Sequence, residues 1–189
     1  MSKRQKSNRP KNASTFASTP IGLRELLDAS PDAIFCCDVQ GRWNWLSSAI
    51  ESFTGAPFGS PGTETAAAII TRAVKDVPVK QTGYSGLMIP VLEERVLTRR
   101  WTERTYGLDS ILAYSAVCAG GVDTVPLPGD TSEAAIAGIV GDVATLAFKW
   151  NKPLAARLLP APGKKAGDMT EFSGALANAI IQPLPGTAR

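Results

Sequence analysis

Histidine does not occur among the 189 residues of this sequence. Histidine is the side chain that most often serves as a general base near neutral pH, and it is the usual protein ligand of zinc. A Ser-His-Asp triad and a Cys-His pair are therefore excluded within this chain. Catalytic candidates have to be sought among its thiols, carboxylates and lysines.

Cysteine is scarce and unevenly placed. The three cysteines are Cys36, Cys37 and Cys118, an odd number without CxxC spacing. This usage does not indicate a disulfide framework, and we expect a cytoplasmic protein. Neighbouring residues of a strand point to opposite faces, so Cys36 and Cys37 are interpreted as packing residues and not as a redox pair.

The sequence also lacks a long apolar run. None approaches the roughly 20 residues that span a bilayer, and no hydrophobic stretch follows the charged start, so neither a membrane partner nor a signal peptide is expected. Five cations lie within the first 11 positions, and the first acid is Glu25. Without these five cations the formal net charge of +3 becomes −2. We interpret residues 1–20 as a disordered basic tail and expect no specific nucleic-acid binding, although the tail can contact phosphates non-specifically.

Helical and strand-like patterns alternate along the rest of the chain. This alternation predicts an α/β fold in which strands are buried on both faces. The predicted strands are a hairpin over 33–46, an extended segment within 87–92 and a strand over 154–159. The predicted helices are 47–55, one opening at Thr63, 93–104, 108–117 with Asp109 as its cap, one from Thr131 or Asp130 to about Trp150, and a weak one after the loop 160–168.

The stretch 114–130 carries most of the candidate chemistry. An apolar segment reaches Cys118, breaks at Gly120 and Gly121, and resumes as a β-branched run that contains Asp123 and ends before Asp130. Paired glycines indicate a specific turn, which we expect to gather the thiol and both carboxylates at one pocket rim, with Gly120 and Gly121 contacting substrate.

Each of these residues has a structural interpretation beside the functional one. Cys118 is either a nucleophile or redox thiol, or a small buried apolar residue. Asp123 and Asp130 are acid/base groups or cation ligands, or else a turn former and a helix cap. Lys164 and Lys165 are substrate anion contacts, or part of a solvated loop. No metal site is assigned.

Residues 26–55 read LLDASPDAIFCCDVQGRWNWLSSAIESFTG. The order of short helix, Ser-Pro-Asp, strand, Asp-x-x-Gly turn, strand and small helix resembles the opening of a PAS sensor domain. We assign 21–57 as a truncated PAS-like segment, which makes a PAS-type sensory or regulatory module the alternative function. The cofactor is unknown, and haem or flavin is not expected because histidine and the later PAS strands are missing.

From residue 58 to about 186, three long motifs occur in order: FGSPGTETAAAIITRAVKDVPVKQTGYSGLMIPVLEERVL, YSAVCAGGVDTVPLPGDTS and KPLAARLLPAPGKKAGDMTEF. They are similar to the C-terminal portion of the domain of unknown function 711 family, also called uncharacterised protein family 0210. Family members are longer, and their fold resembles the α/β barrel of the glycyl radical enzymes. The resemblance implies a partial barrel-like sheet with helices and maps the cysteine of a finger-like loop to Cys118, without implying radical chemistry.

The family usually has Gly-Thr-Gly-Leu-Asp after its cysteine, whereas this chain has Ala-Gly-Gly-Val-Asp. The first barrel strands are replaced here by the PAS-like segment, so we expect a fusion or a fragment, which is non-functional in a third hypothesis. An open half-barrel exposes apolar helix faces and strand edges. Marginal stability, or a homodimer through those faces, is the expected consequence.

Overall fold

The computed structural model of the protein describes residues 47–184 and residue 186. The predicted tail, the hairpin and both Cys36 and Cys37 lie outside the described residues, as does most of the PAS-like segment. The described part is mixed α/β, in the order α1 Ser47–Thr54, α2 Thr63–Lys75, α3 Arg95–Thr102, α4 Leu108–Tyr114, β1 Gly121–Pro128, α5 Glu133–Trp150 and β2 Ala155–Ala161.

The two strands form a parallel pair that α5 connects. Gly121 lies opposite Ala155 at one end of the ladder, and Pro128 lies opposite Ala161 at the other. Residues 87–90 lie beside β1, where Pro90 forms an isolated parallel bridge with Asp123 and the Val91 amide donates to the Asp123 carbonyl at 3.0 Å. Val91 and Leu92 already belong to a turn. All eight residues of β1 are buried, as expected for a parallel strand that is covered on both faces. The sheet is not closed within the described residues, so the α/β prediction is confirmed and the barrel is not.

Aromatic side chains fill the centre of the core between α2, α3 and α4. Phe58 packs edge-to-face on Tyr106 and Tyr114, with ring centroids 5.0 and 5.8 Å apart. Trp101 meets Tyr106 in the same way at 5.5 Å. Such pairs contribute about 0.5–1.5 kcal/mol beyond the area they bury. They pack α3 and α4 against the segment between α1 and α2, which carries Phe58.

A carboxylate links α1 to α3. Ile50 of α1 is fully buried, and Glu51 accepts hydrogen bonds from Arg100 Nε at 2.7 Å and from the Phe58 amide at 2.9 Å. Burial by itself raises the pKa of Glu51, but the bonds from Arg100 and Phe58 outweigh it, and the pKa lies below its ordinary value. The α1 helix is therefore part of the packed body.

Several element predictions are confirmed and others need correction. Helix α1 ends before Gly55 as predicted, and α5 ends at Trp150. The cap of α5 is neither Asp130 nor Thr131 but Ser132, whose Oγ accepts from the Ala135 amide at 3.2 Å. Some large apolar side chains of α1, α2 and α5 are exposed, among them Phe53, Ile69 and Val140.

Helix α4 is shorter than predicted and is capped differently. It starts after Gly107, not at a cap formed by Asp109, and it ends at Tyr114 where 117 was expected. The Ser115 hydroxyl donates to the Ile111 carbonyl at 2.7 Å, which competes with regular helix continuation.

The weak helix predicted after residue 168 is absent from the described residues. That part of the chain doubles back in an isolated bridge between Met169 and Ile180. Asn178 Oδ1 accepts from the Thr170 hydroxyl and the Phe172 amide, and these bonds replace helical ones.

Candidate functional site

The thiol turn leads into β1. Cys118 is 1% exposed, and its amide donates to the Tyr114 carbonyl at 2.8 Å. Lys152 follows α5, and its ammonium donates to the carbonyls of Ala116 at 3.0 Å and Cys118 at 2.7 Å. Burial lowers the pKa of Lys152, and the nearby Cys118 opposes that shift. Lys152 therefore closes the turn that carries the thiol, and the sequence analysis did not single it out.

The paired glycines allow close packing. Gly121 has a φ of 90°, and a Cβ there would lie 2.5 Å from the Ala155 carbonyl oxygen, so only glycine fits against β2. A Cβ on Gly120 would meet Met88 at 3.3 Å. Both glycines thus contact protein atoms at the sheet.

A β-bulge lies in the middle of β1. Asp123 and Thr124 together face the single residue Arg157 of β2, because the register shifts between Val122 and Val125. Thr124 has a φ of 46°, which is unusual for a β-branched residue, and its hydroxyl oxygen accepts from the Leu92 amide at 3.2 Å.

The bulge places Asp123 against a guanidinium. Asp123 is 1% exposed and accepts a hydrogen bond from Arg157 Nε. Arg157 Nη1 lies 2.9 Å from Glu93 Oε1. The bond to Asp123 raises the pKa of Arg157, so the guanidinium stays charged. Arg157 was missed because the pattern around it indicates only a short apolar strand.

A cavity of about 740 Å³ opens beyond the carboxyl ends of β1 and β2. The two loops that leave these strands meet there, since the Gly129 amide donates to the Lys164 carbonyl at 2.9 Å. We call this space the carboxyl-end cavity. Its lining consists of Arg104, Pro128, Asp130, Thr131, Ser132, Ala135, Lys165, Ala166, Gly167, Pro183 and Leu184.

Three charged side chains line the carboxyl-end cavity: Arg104, Asp130 and Lys165. None of them forms a salt bridge with another residue in the described part of the chain. Lys164 differs, because its ammonium lies 2.7 Å from Glu171 Oε1. The cavity therefore presents two cations and one carboxylate that form no salt bridge with each other.

Arg104 occupies the second position beyond α3, after the C-cap residue Glu103, and it was not among the residues predicted from the sequence. The φ angle of Arg104 is 59°. The Arg104 amide donates to the Trp101 carbonyl, and the Thr105 amide donates to the Arg100 carbonyl. These two bonds define a Schellman ending, in which glycine is the preferred residue at the left-handed position. Because the sequence has arginine and not glycine at this position, it carries no signal for a left-handed helix end.

The predicted site residues do not meet at one rim. Asp130 and Lys165 line the carboxyl-end cavity, whereas Cys118 and Asp123 do not. Cys118 precedes β1 and Asp130 follows it, and seven steps of an extended strand place its ends roughly 23 Å apart. The stretch that looked like a turn is mostly a strand, which separates the thiol from the second carboxylate.

Within residues 47–184 and 186, no group of three or more cysteines and carboxylates has the arrangement of a metal site. Over the same part of the chain, no helix is both long and apolar enough to cross a membrane.

Comparison with known proteins gives one family. The family model described as uncharacterised ACR (DUF711) matches residues 42–173. A UPF0210 protein of Desulforudis audaxviator is 39% identical over 140 residues, which are 72% of this chain and 31% of the relative. That of Lactiplantibacillus plantarum is 38% identical over 130 residues, covering 67% and 29%, respectively. That of Desulfovibrio desulfuricans is 36% identical over 176 residues, covering 91% and 36%.

The chain therefore spans about a third of the length of the curated relatives it matches. The names of these relatives state no activity, substrate or partner. The family match begins at residue 42, inside the segment that resembled a PAS domain, so the PAS-type alternative is not favoured.

Proposed function

Since this chain belongs to the uncharacterised DUF711 family, also named UPF0210, we propose that it carries a small-molecule site of an enzyme of that family. The observation that supports this proposal best is the carboxyl-end cavity. Its volume of about 740 Å³ suits a metabolite-sized ligand. Its place outside the carboxyl ends of parallel strands is where α/β proteins most often bind ligands.

In this proposal Asp130 is the acid/base group and Lys165 holds the substrate. Both were selected from the sequence, and both line the cavity without a salt bridge among the described residues. Asp123 has an indirect, positioning role in this proposal, because its contact with Arg157 fixes the bulge of β1, the strand that precedes Asp130. Lys164, which binds Glu171, is left outside the proposed site.

The two strands are proposed to belong to a larger barrel-like sheet in the longer relatives. Three features support this extension: β1 is buried throughout, Pro90 already forms a bridge with Asp123 of β1, and the relatives are more than twice as long as this chain. A structure of a full-length relative tests it by the number of strands that continue the sheet beyond β2.

A second candidate function is centred on Cys118. It is favoured by the position of Lys152, whose ammonium donates to the Cys118 carbonyl at 2.7 Å. A charged amine near a thiol favours nucleophilic or redox chemistry. Alkylation of a variant in which Cys118 is the only cysteine tests this candidate, since a catalytic thiol reacts rapidly in the folded protein and a buried structural one reacts only on unfolding.

Homodimer formation and a cytoplasmic location also remain proposals. Apolar side chains that remain exposed on α5 support self-association, with Phe148 at 87% exposure as the extreme case. Sedimentation equilibrium of the protein and of Phe148→Ser measures the association constant, which we expect to fall in the variant.

The test of the proposed site is a cavity-filling substitution. Ala135→Trp places an indole in the lining of the carboxyl-end cavity, and Ala134→Trp adds the same group at the exposed neighbouring position of α5. A library of neutral and charged small molecules is screened by ligand-observed NMR. We expect binders that Ala135→Trp loses and Ala134→Trp keeps. No binder, or equal binding to both variants with unchanged thermal unfolding, contradicts the proposal.

A further inference from the structure

We propose that the ligand of the carboxyl-end cavity is a small molecule bearing a phosphate or carboxylate group, and that Arg104 and Lys165 recognise that group. The inference rests on the proposed function, because it takes the cavity as the binding site. It adds the chemical class of the ligand and assigns a binding role to Arg104.

The charge balance of the cavity favours an anionic ligand. Arg104 and Lys165 come from separate parts of the chain, one after α3 and one in the loop after β2, and the fold brings both to the same lining. The only acid in the lining is Asp130. An anionic group gains from two cations, and a guanidinium in particular forms paired hydrogen bonds with phosphate or carboxylate oxygens.

Arg104 and Lys165 are also available to bind a ligand. The fold engages other cations in ion pairs: Arg100 with Glu51 and Glu103, and Lys164 with Glu171. Arg104 and Lys165 make no such pair within the described residues, although Lys165 immediately follows a lysine that does. Both cations of the cavity lining are therefore without a carboxylate partner among the described residues.

The backbone conformation of Arg104 is a further observation, independent of the charge of its side chain. At the left-handed end of a Schellman motif, glycine is the residue that costs least. The chain has an arginine there with a φ of 59°, held by the backbone bonds of the motif. A strained residue in a cavity lining is a reason to look for a function of its side chain, and a guanidinium at this point supplies one.

The volume of the cavity and the charge of Asp130 limit the ligand to a small molecule. A cavity of about 740 Å³ holds a metabolite-sized compound. Asp130 repels a long polyanion, but it accepts a hydrogen bond from a hydroxyl or an amine of the same ligand. The expected ligand therefore combines one anionic group with a neighbouring hydrogen-bond donor.

The test compares glycerol 3-phosphate with glycerol, and inorganic phosphate serves as the minimal probe. Isothermal titration calorimetry is performed on the whole chain and on Arg104→Gln, Lys165→Gln and the matched control Lys164→Gln, with thermal unfolding as the check on folding. We expect Arg104→Gln and Lys165→Gln each to weaken the affinity for glycerol 3-phosphate at least tenfold. Lys164→Gln is expected to change it less than twofold.

The outcomes separate this inference from the proposed site. Unchanged affinity in Arg104→Gln and Lys165→Gln, or an equal loss in Lys164→Gln, overturns the inference. If neutral library compounds bind in a manner sensitive to Ala135→Trp while neither the phosphate compounds nor the carboxylates of the library bind, that result overturns the anionic class and leaves the site standing. If no small molecule binds to the unmodified chain, both this inference and the proposed site are contradicted.

Discussion

Replacing Arg104 with glycine is expected to stabilise the protein and to weaken its anion binding at the same time. Arg104 has a φ of 59°. A side chain in this left-handed region costs about 1–2 kcal/mol relative to glycine. Glycine also makes the unfolded chain more flexible, which offsets about 0.4–1 kcal/mol of that gain. The free energy of unfolding is therefore expected to rise by about 0.5–1 kcal/mol.

Urea unfolding monitored by tryptophan fluorescence measures this change, with the slope of the transition expected to stay constant because the Schellman bonds use only backbone atoms. Arg104→Ala is the comparison that separates the two effects. Alanine removes the guanidinium but keeps a Cβ in the left-handed region, so its stability is not expected to rise. Both variants are expected to bind phosphate at least tenfold more weakly.

Asn151→Gly is the control at the equivalent helix end. Asn151 follows α5 with a φ of 46°, and asparagine already tolerates that conformation. Its replacement should raise the free energy of unfolding by only a few tenths of a kcal/mol and leave phosphate affinity unchanged. The reasoning is refuted if Arg104→Gly is less stable than the unmodified protein, or if it binds phosphate as tightly.

Three further predictions concern the groups that hold the fold around the site. The pKa of Glu51 is lowered in the folded protein. Its ionised carboxylate therefore contributes fully to the free energy of unfolding above pH 4.5, and this contribution is lost as the pH falls through the pKa of the folded state. In Glu51→Gln, the free energy of unfolding in urea should fall less steeply below pH 4.5 than in the unmodified protein. Lys152→Met leaves two carbonyls without their donor, and we expect a loss of about 1–2 kcal/mol in urea unfolding and faster alkylation of Cys118. Arg157→Met strands the buried Asp123 carboxylate at a cost of about 2–4 kcal/mol, and adding Asp123→Asn should recover part of it; equal stability of the single and double variants would contradict this.

The parts of the fold that depend on local pattern were predictable from the sequence. The glycine after α1, the glycine-rich entry to α2 and the long apolar pattern of α5 each indicated the helix that the structure contains. The strand β2 was predicted within one or two residues of its bounds. These signals are short-range, so one sequence is enough to recognise them.

The candidate site was harder to predict because it depends on how far a strand extends. Gly120 and Gly121 suggested that the chain folds back, but Gly121 opens a strand of eight residues, and that strand separates Cys118 from Asp130. Asp130 and Lys165 come together only because two parallel strands end side by side. No local pattern reports that pairing.

Three cations near these sites could not be singled out from the sequence for a related reason. Arg157 lies in an apparently apolar strand, Lys152 follows a helix end, and Arg104 ends a charged helix. Each owes its role to residues distant in sequence, such as Asp123, which is 34 positions from Arg157. The left-handed backbone of Arg104 is likewise visible only in the structure.

The most direct measurement of the central claim is a titration of the ¹⁵N-labelled protein with glycerol 3-phosphate, followed by amide chemical shifts. The account predicts saturable shifts that share one dissociation constant and are confined to the loops after β1 and β2, residues 130–132 and 165–167, together with Arg104. Saturable shifts around Cys118 and Lys152 instead, or shifts that grow linearly without saturation, would contradict the claim that the carboxyl-end cavity binds an anionic small molecule.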